Sequence, residues 1–303
     1  MTNNKNKSFT LIEILVVIII IGLLASLILF STNDAFEQQK RMEVLNFSNS
    51  TKGKMIQSLL SEWTFDGPTA IGSNATNNDV KDSWKYNHGD VTGHVPVVKG
   101  GDDCISGKCL QFNSSGLTYV DIPYNYAFDF GTGDFTVSAW IKTSNVLNYQ
   151  TIFARDYNST GNGVILYTNI NNGFLRTWVG GTALNGTINI CNDKWNYVLV
   201  TRRTAGALKI VDHYINGSFN SSVNATGNVN MASNNKIRLG VTDQATPGYK
   251  FSGLIDDVRV YNTTLSSFQI KQNYIAGLDL LLGNNAISKE EYGQRILNLA
   301  QHE

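Results

Sequence analysis

The acidic residues are the side chains that could catalyse hydrolysis of a glycosidic bond, if two of them were suitably spaced. A glycosidase that works with two carboxylates holds them about 5 to 9.5 Å apart. The sequence has no glutamate between Glu62 and Glu290, and the adjacent Asp256 and Asp257 would project to opposite faces of a regular strand. Nucleophile-elbow, zinc-protease and phosphate-cradling glycine motifs are also missing from the sequence. We therefore predict that the protein is not an enzyme.

The cysteines form one close pair and one isolated residue. Cys104 and Cys109 lie close together, whereas Cys191 stands alone. A zinc ion would need four ligands, and the sequence offers neither a second cysteine pair nor a nearby histidine pair. We expect a disulfide between Cys104 and Cys109 if this part of the chain lies outside the cell, and we expect Cys191 to be a buried small hydrophobe.

The charges of the chain balance. Lysine plus arginine and aspartate plus glutamate each number 24, which gives a formal net charge of zero. A nucleic-acid-binding protein needs a basic surface to neutralise phosphates. The composition therefore does not favour nucleic acid as a partner.

The N-terminal segment is strongly apolar. An apolar run from Phe9 to Phe30 follows Lys5 and Lys7 and contains one charge, Glu13. At about 1.5 Å per residue, 14–30 is long enough to approach the thickness of a bilayer, so we predict a transmembrane helix over 9–30. A secretory signal peptide would need a small-residue cleavage site after the apolar core, and a plain anchor would leave the cost of burying Glu13 unexplained.

The residues Lys7-Ser8-Phe9-Thr10-Leu11-Ile12-Glu13 resemble the processing site of type IV pilins and pseudopilins. The resemblance implies a leader at 1–8, cleavage between Ser8 and Phe9 by a prepilin peptidase, and methylation of Phe9. Glu13 would then pair with the free amine of Phe9 on a neighbouring subunit. The family usually has glycine before the cut, and Ser8 keeps the small size. The implied partners are the membrane, the peptidase and other pilin subunits.

Beyond the apolar run the chain divides into three further parts. Helix-forming residues continue the N-terminal helix, so we predict one helix over 9–62. The part at 63–262 has short β-branched and aromatic runs separated by turn residues, which predicts an all-β antiparallel sandwich. A helical tail is predicted over 263–303, where Ser288 and Glu291 have the spacing of a capping box.

A second resemblance involves consecutive motifs of the strand-rich part. They resemble the laminin G-like, concanavalin A-like lectin superfamily, a jelly roll of two packed antiparallel sheets. The predicted fold class is therefore a long N-terminal α-helix, a concanavalin A-like jelly-roll sandwich and short C-terminal helices. The motifs are Trp63–Gly67, Gly107–Phe112, Tyr119–Pro123, Phe135–Lys142, Trp195–Val198, Tyr214–Gly217 and Gly253–Tyr261.

This second resemblance implies a calcium site, because members of the superfamily often bind one calcium ion near the joined ends of their first and last strands. Calcium takes six to eight oxygen ligands, and Asp66, Asp82 and Asp256 could supply several of them, with carbonyls from the loop 84–88. An equally good interpretation is that these carboxylates accept hydrogen bonds from backbone amides in turns.

Sugar binding calls for accessible rings beside polar groups. Five aromatic residues lie in or near loop-like stretches, and we take them as candidate ligand-binding residues, whereas Trp140 and Trp195 are expected in the core. The five candidates are Trp84, Tyr86, Tyr157, Trp178 and Tyr249.

The two resemblances together predict a pilin-like or pseudopilin-like filament subunit. It would reside in the inner or cytoplasmic membrane before assembly and in an extracellular filament afterwards. There it would display a sandwich that binds a glycan or another surface ligand for adhesion or recognition. The alternatives are a minor pseudopilin of a type II secretion or DNA-uptake system that contacts cargo and, less favoured, an exported carbohydrate-active enzyme.

Overall fold

The structure is a computed structural model, and it describes residues 57–91, 95–155, 163–229, 236–242 and 249–301. The chain divides structurally between residues 54 and 55. The predicted leader, the transmembrane segment and the processing residues Ser8, Phe9 and Glu13 all lie outside the described residues. No helix within the described ranges is long and apolar enough to cross a membrane.

The described residues contain fourteen strands. Every strand pairing is antiparallel, as the predicted all-β sandwich requires. The strands are β1 Leu59–Trp63, β2 Val97–Gly100, β3 Lys108–Phe112, β4 Val120–Ile122, β5 Phe135–Lys142, β6 Gln150–Arg155, β7 Val164–Thr168, β8 Phe174–Val179, β9 Thr182–Asn189, β10 Asn196–Ala205, β11 Leu208–Ile215, β12 Ser218–Asn224, β13 Ile237–Leu239 and β14 Gly253–Tyr261.

These strands form two sheets that pack face to face. The first sheet has the order β12-β11-β10-β5-β14-β3-β2, with β1 also paired to β14, and the second has the order β4-β13-β6-β7-β8-β9. The inner faces share one apolar core, which includes Val137 of the first sheet and Leu166 of the second. Both are fully buried, so the domain is stabilised mainly by apolar surface that the two sheets remove from water.

The first strand corrects the predicted end of the N-terminal helix. Residues 59–62 were expected to be helical, but Leu59–Trp63 is a strand that pairs with Val258–Tyr261. The physical reason is burial, because Leu59, Leu60 and Trp63 are all buried, and the ladder with β14 satisfies their backbone groups. The sandwich therefore begins at Leu59, four residues before the predicted boundary.

Two helices follow the last strand, as predicted. Helix α1 is Ser267–Gly283, and its N-cap Ser266 forms a capping box with Gln269. Helix α2 is Lys289–Ala300, and the Ser288 hydroxyl accepts a hydrogen bond from the Glu291 amide at 3.2 Å. Such N-caps stabilise a helix by about 1 kcal/mol. The capping box at Ser288 and Glu291 is thus confirmed on its N-cap side.

The two helices pack on the outer face of the first sheet. Trp140 of β5 is fully buried there, with its ring 5.3 Å from that of Tyr197 and 5.7 Å from that of Tyr274 in α1. Leu278 of α1 and Leu299 of α2 belong to the same buried cluster. This face of the sandwich is therefore a second core.

Candidate ligand-binding site

Three tyrosine rings gather on the outer face of the second sheet. Tyr149 precedes β6, Tyr167 lies in β7, and Tyr249 comes shortly before β14. The ring centroids are 4.6 Å apart for Tyr149 and Tyr249, 5.7 Å for Tyr167 and Tyr249, and 5.8 Å for Tyr149 and Tyr167. Such spacings stabilise aromatic pairs. We call these three residues the tyrosine cluster.

Strand alternation directs this cluster away from the main core. In β7, Val164 and Leu166 pack between the sheets, so Ile165 and Tyr167 project from the opposite face. Ile165 and Tyr167 belong to a separate apolar cluster, against which Tyr149, Trp178 and Tyr249 pack. The pairing of β7 with β8 sets Trp178 opposite Ile165. The outer face of the second sheet is therefore aromatic.

One cation lies within this aromatic face. Arg176 of β8 pairs with Tyr167 across the strands, and its guanidinium carbon lies 5.7 Å from the Tyr167 ring centroid and 6.0 Å from that of Tyr149. A guanidinium at this distance is attracted to the ring faces. Its Nε is buried and has no hydrogen-bond partner among the described residues, so the rings hold this side chain mainly by stacking.

A groove of about 420 Å³ adjoins the tyrosine cluster. Its volume falls in the range of about 300 to 1,000 Å³ that is typical of small-ligand sites. Two rings of the cluster and Ile170 supply apolar surface, and the remaining side chains supply hydroxyl, amide and ammonium groups. Its lining includes Tyr149, Tyr249, Ser114, Ser115, Asn148 and Lys250. This combination suits a ligand that has both an apolar ring face and hydroxyl groups.

A larger cavity of about 570 Å³ lies at the ends of β3, β5 and β14. Its lining is rich in polar groups, among them Gln111, Lys142 and Asp193. The one aromatic residue of its lining, Phe112, is buried in the core. This cavity is larger but offers no accessible ring face for stacking, so we regard the groove beside the tyrosine cluster as the better candidate.

The structure separates the predicted ligand-binding residues into two places. Trp178 and Tyr249 lie together on the aromatic face. Trp84 and Tyr86 lie elsewhere, on the exposed loop after Asp82, and Tyr157 lies outside the described residues. The prediction of site residues therefore stays untested as a set, although the structure shows which of its members are neighbours.

Three residues of the aromatic face were missed by sequence reasoning, namely Tyr149, Tyr167 and Arg176. Alternation within β7 was a usable signal, because it places Tyr167 on the opposite face from Val164 and Leu166. The hairpin expected at Asn172-Gly173 would then have brought β8 beside β7. What could not be read was the approach of Tyr249, which is far away in the sequence.

The carboxylate of Asp82 is occupied by backbone amides. It accepts hydrogen bonds from Glu62 N at 3.0 Å, Trp84 N at 2.9 Å and Asn87 N at 3.1 Å. Three donors on one carboxylate use most of its lone pairs. Asp82 therefore organises the loop 83–88.

The other two predicted calcium ligands also accept backbone hydrogen bonds. Asp66 accepts one from Lys108 N at 2.8 Å, and Asp256 accepts from Ile105 N at 3.0 Å and Asp257 N at 2.8 Å. Among the described residues no three histidine, cysteine or acidic side chains are placed to hold a metal ion. Calcium binding by these residues therefore stays a prediction.

Asp256 and Asp257 do not lie in the regular strand that their sequence predicts. The register of β14 with β5 shifts between Asp256 and Arg259, and Asp257 has φ 48°. Both carboxyl groups are buried. Burial, followed by the neighbouring Asp257, raises the pKa of Asp256 well above its usual range. Arg259 contacts Asp257 at 3.2 Å and Glu62 at 2.6 Å, so this bulge is a buried charge network and strict alternation fails there.

The cysteines behave as predicted. Cys104 and Cys109 form a disulfide, and Cys191 is free and buried. Burial raises the pKa of the Cys191 thiol, which makes it a poor nucleophile at neutral pH.

The described fold and site define a class: a two-sheet, lectin-type sandwich with an aromatic outer face. A profile of the concanavalin A-like lectin/glucanases superfamily matches residues 114–271, more than half of the chain. The chain belongs to this superfamily. A second profile, the prokaryotic N-terminal methylation motif, matches residues 3–29 and confirms the pilin-type signal.

Solved structures support the fold at low sequence identity. Domain 4 of an extracellular arabinanase from Geobacillus stearothermophilus, solved with arabinotriose, is 21% identical, with a TM-score of 0.52, covering 71% of this chain and 97% of that one. The binding domain of Paraclostridial mosquitocidal protein 1 is 15% identical, with a TM-score of 0.54. The match covers 74% of this chain and 53% of that one. A structure of botulinum neurotoxin type C, a toxin whose cell entry depends on interaction with two ganglioside molecules, is 16% identical, with a TM-score of 0.53. The match covers 75% of this chain and 53% of that one.

The chain thus spans about half the length of these toxin structures. At such identities the likeness shows the fold alone. Among curated protein sequences no match is found.

Proposed function

We propose that this protein is a pilin-like filament subunit that displays a glycan-binding sandwich at the cell surface. The methylation motif over 3–29 supports the first half. A prepilin peptidase would cut between Ser8 and Phe9, and the mature subunit would leave the membrane for an extracellular filament in which Glu13 pairs with a neighbouring Phe9 amine. The sandwich would then stand outside the cell, where the disulfide of Cys104 and Cys109 is stable.

The observation that carries glycan binding is the tyrosine cluster beside its groove. Sugar rings have apolar C–H faces that stack on aromatic rings, and their hydroxyl groups need polar partners, both of which line this groove. The arabinanase domain solved with arabinotriose and the ganglioside-dependent toxin share this fold. They support a sugar as the ligand class without identifying the sugar.

The placement of the carboxylates supports recognition without catalysis. The adjacent pair Asp256 and Asp257 is buried and bound to backbone amides and to Arg259. The groove beside the tyrosine cluster has no carboxylate in its lining. Two carboxylates on either side of a bound sugar are what glycosidases need, so the groove is suited to binding.

A glycan array tests the sugar-binding half. Filaments of the full chain are applied to an array that includes arabinan-derived and sialylated oligosaccharides. We expect binding that falls about tenfold in Tyr249→Ala, because one stacked ring contributes about 1 to 1.5 kcal/mol. Phe219→Ala removes an exposed ring of the first sheet and serves as the matched control. Repeating the measurement with a chelator tests the calcium prediction.

Two outcomes on the array would contradict the sugar-binding proposal. Binding that survives Tyr249→Ala would remove the tyrosine cluster from the mechanism. Intact filaments that bind no sugar would instead favour the secretion or DNA-uptake pseudopilin that contacts cargo.

Protein sequencing tests the filament half. We expect the mature chain to begin at Phe9 and Glu13→Ala to stop assembly while leaving the membrane-bound form. A mature chain that begins at Met1, or normal filaments from Glu13→Ala, would contradict the pilin mechanism.

A further inference from the structure

The described strands of the second sheet contain three arginines but one acid, Asp121. That acid is already paired, because Arg238 Nε lies 2.7 Å from its carboxylate. The second arginine, Arg155, is fully buried and pairs with Asp129. The third, Arg176, has no acidic partner among the residues that the structure describes. The charge of this sheet is therefore uncompensated at one position, and that position lies on the aromatic face.

Arg176 is surrounded by neutral groups. Its guanidinium stacks on Tyr167 and Tyr149, and the neighbouring strand places Asn185 opposite it. Aromatic rings attract a cation but carry no net negative charge. An anion close to this face would supply the counter-charge that the described residues do not.

A second cation lines the groove itself. Lys250 follows Tyr249 in the chain, is partly exposed, and belongs to the groove lining. It forms no ion pair within the described ranges, and the lining contains no acidic residue. Tyr149 connects the two cations to one site, because this ring lines the groove and also contacts Arg176. The groove and its border are thus positively charged.

The neutral polar groups of the lining differ in their availability. The amide and hydroxyl of Ser115 both donate to Asn113 Oδ1, at 2.9 Å and 2.7 Å. Ser114 and the exposed Asn148 have no such partner among the described residues. These two side chains are therefore available to the hydroxyl groups of a ligand.

We propose that the groove binds an acidic sugar, whose carboxylate or sulfate group lies beside a ring that stacks on the tyrosine cluster. Lys250 pairs with the anionic group, Arg176 adds positive potential from its place against Tyr149, and Ser114 and Asn148 bind hydroxyl groups. A neutral sugar would use the rings but leave both cations without a counter-charge. This inference rests on the proposed function and narrows its ligand class from sugars to acidic sugars.

Two matched pairs of oligosaccharides test the inference. The first pair is trigalacturonic acid and its methyl ester, and the second is a sulfated galactose oligosaccharide and its unsulfated form. Binding to the full chain is measured by isothermal titration calorimetry. We expect the acidic member of at least one pair to bind about tenfold more tightly at low salt. This preference should shrink at high salt, which screens partly exposed charges.

Substitution of the lysine locates the preference. Lys250→Gln removes the charge and keeps most of the side-chain length, so we expect the tenfold preference to fall to about threefold or less. Lys142→Gln is the matched control, because Lys142 lines the larger cavity at the ends of β3, β5 and β14, and it should keep the preference. A preference that is lost in Lys142→Gln and kept in Lys250→Gln would overturn the inference.

Two further acids of the sequence, Asp156 and Asp243, lie outside the described residues, and a double variant tests whether they already neutralise the cations. We expect Asp156→Asn combined with Asp243→Asn to change the preference for the acidic sugar by less than twofold. A tenfold rise would show that these acids compete with the ligand for the cations. That result would contradict the availability of Lys250 and Arg176.

The failure of this inference is distinguishable from the failure of the proposed function. Equal binding of the acidic and neutral members in both pairs would overturn the preference and leave sugar binding intact. If no member of either pair binds and the glycan array is also empty, sugar binding itself fails.

Discussion

The two sheets present their outer faces to different surroundings. The outer face of the first sheet carries Trp140 and Tyr197, and helix α1 covers both rings. The outer face of the second sheet carries Tyr167, Arg176 and Trp178, which belong to a small cluster next to an open groove. Strand alternation produces an aromatic face in each sheet. What packs over that face then decides whether the rings stabilise the fold or remain available to a ligand.

The largest expected difference between the faces is in stability. Trp140→Ala should lower the free energy of unfolding by about 3 to 5 kcal/mol, because it leaves a cavity between β5 and α1. Trp178→Ala should cost less than half as much, because Trp178 is only partly buried. Urea unfolding of the two variants measures both values. Equal losses would mean that the second face is also a core.

The disulfide loop belongs to the covered face and provides the next test. Ile105, inside the loop, donates to Asp256 and accepts from Asn284 Nδ2 at 2.9 Å at the end of α1. Replacing Cys104 and Cys109 by serine should lower the free energy of unfolding by about 2 kcal/mol, as expected for a short closed loop.

Sugar binding should survive the loss of the disulfide, because the groove lies on the other face. A reducing agent should destabilise the unmodified domain by a similar amount and leave the serine variant unchanged. A loss of sugar binding that exceeds the loss of folded protein would contradict the separation of the two faces.

A third test concerns the interior that both faces share. His213 of β11 lies between the sheets, where its Nε2 contacts Thr177 Oγ1 of β8 and its Nδ1 lies 3.2 Å from Ser221 Oγ. Burial lowers the pKa of His213 to about 3. Below pH 6.5 the unfolded chain therefore binds a proton that the folded chain excludes, so stability is lost as the pH falls.

The expected slope from His213 is about 1.4 kcal/mol per pH unit between pH 6 and pH 4. Unfolding measured by urea at several pH values should show this slope in the natural chain, and His213→Gln should reduce it. Identical slopes in the two chains would show that His213 takes up a proton in the folded state. Because His213 contacts residues of both sheets, the loss of stability at low pH should affect the whole sandwich rather than one outer face.

Local sequence patterns predicted the sandwich well but not the assembly of its aromatic face. Ser288 and Glu291 act within one turn of a helix, and a disulfide joins cysteines that are close in the sequence, so both features could be predicted. The tyrosine cluster depends on Tyr249 reaching Tyr149 across most of the domain, which no local pattern encodes.

Two errors have similar physical causes. The segment Leu59–Trp63 has helix-forming residues, but pairing with β14 and burial outweigh that weak preference. Asp256 and Asp257 were expected in a regular strand, but a bulge interrupts the alternation of β14 at these two residues. In both cases pairing with a strand that is distant in the sequence determines the local backbone conformation.

The smallest expected effect comes from a pair of glycines on the covered face. Gly277 lies in α1 directly against the Trp140 ring, and a methyl group there would come closer to the ring than atoms can pack. Gly293 lies in α2, where a methyl group would meet no atom within 4 Å. Alanine in a helix interior is normally more stable than glycine by up to about 1 kcal/mol, so Gly293→Ala should raise the free energy of unfolding.

Gly277→Ala should instead lower the free energy of unfolding by about 1 kcal/mol, because overpacking against Trp140 outweighs the gain in helix propensity. The same substitution thus has opposite signs in two helices of one face, and urea unfolding measures both. If both variants were stabilised, α1 would have to move away from the sheet without penalty, and Trp140 would not be tightly covered. In the double variant Gly277→Ala with Trp140→Leu the penalty should disappear, which assigns it to this one contact between helix and sheet.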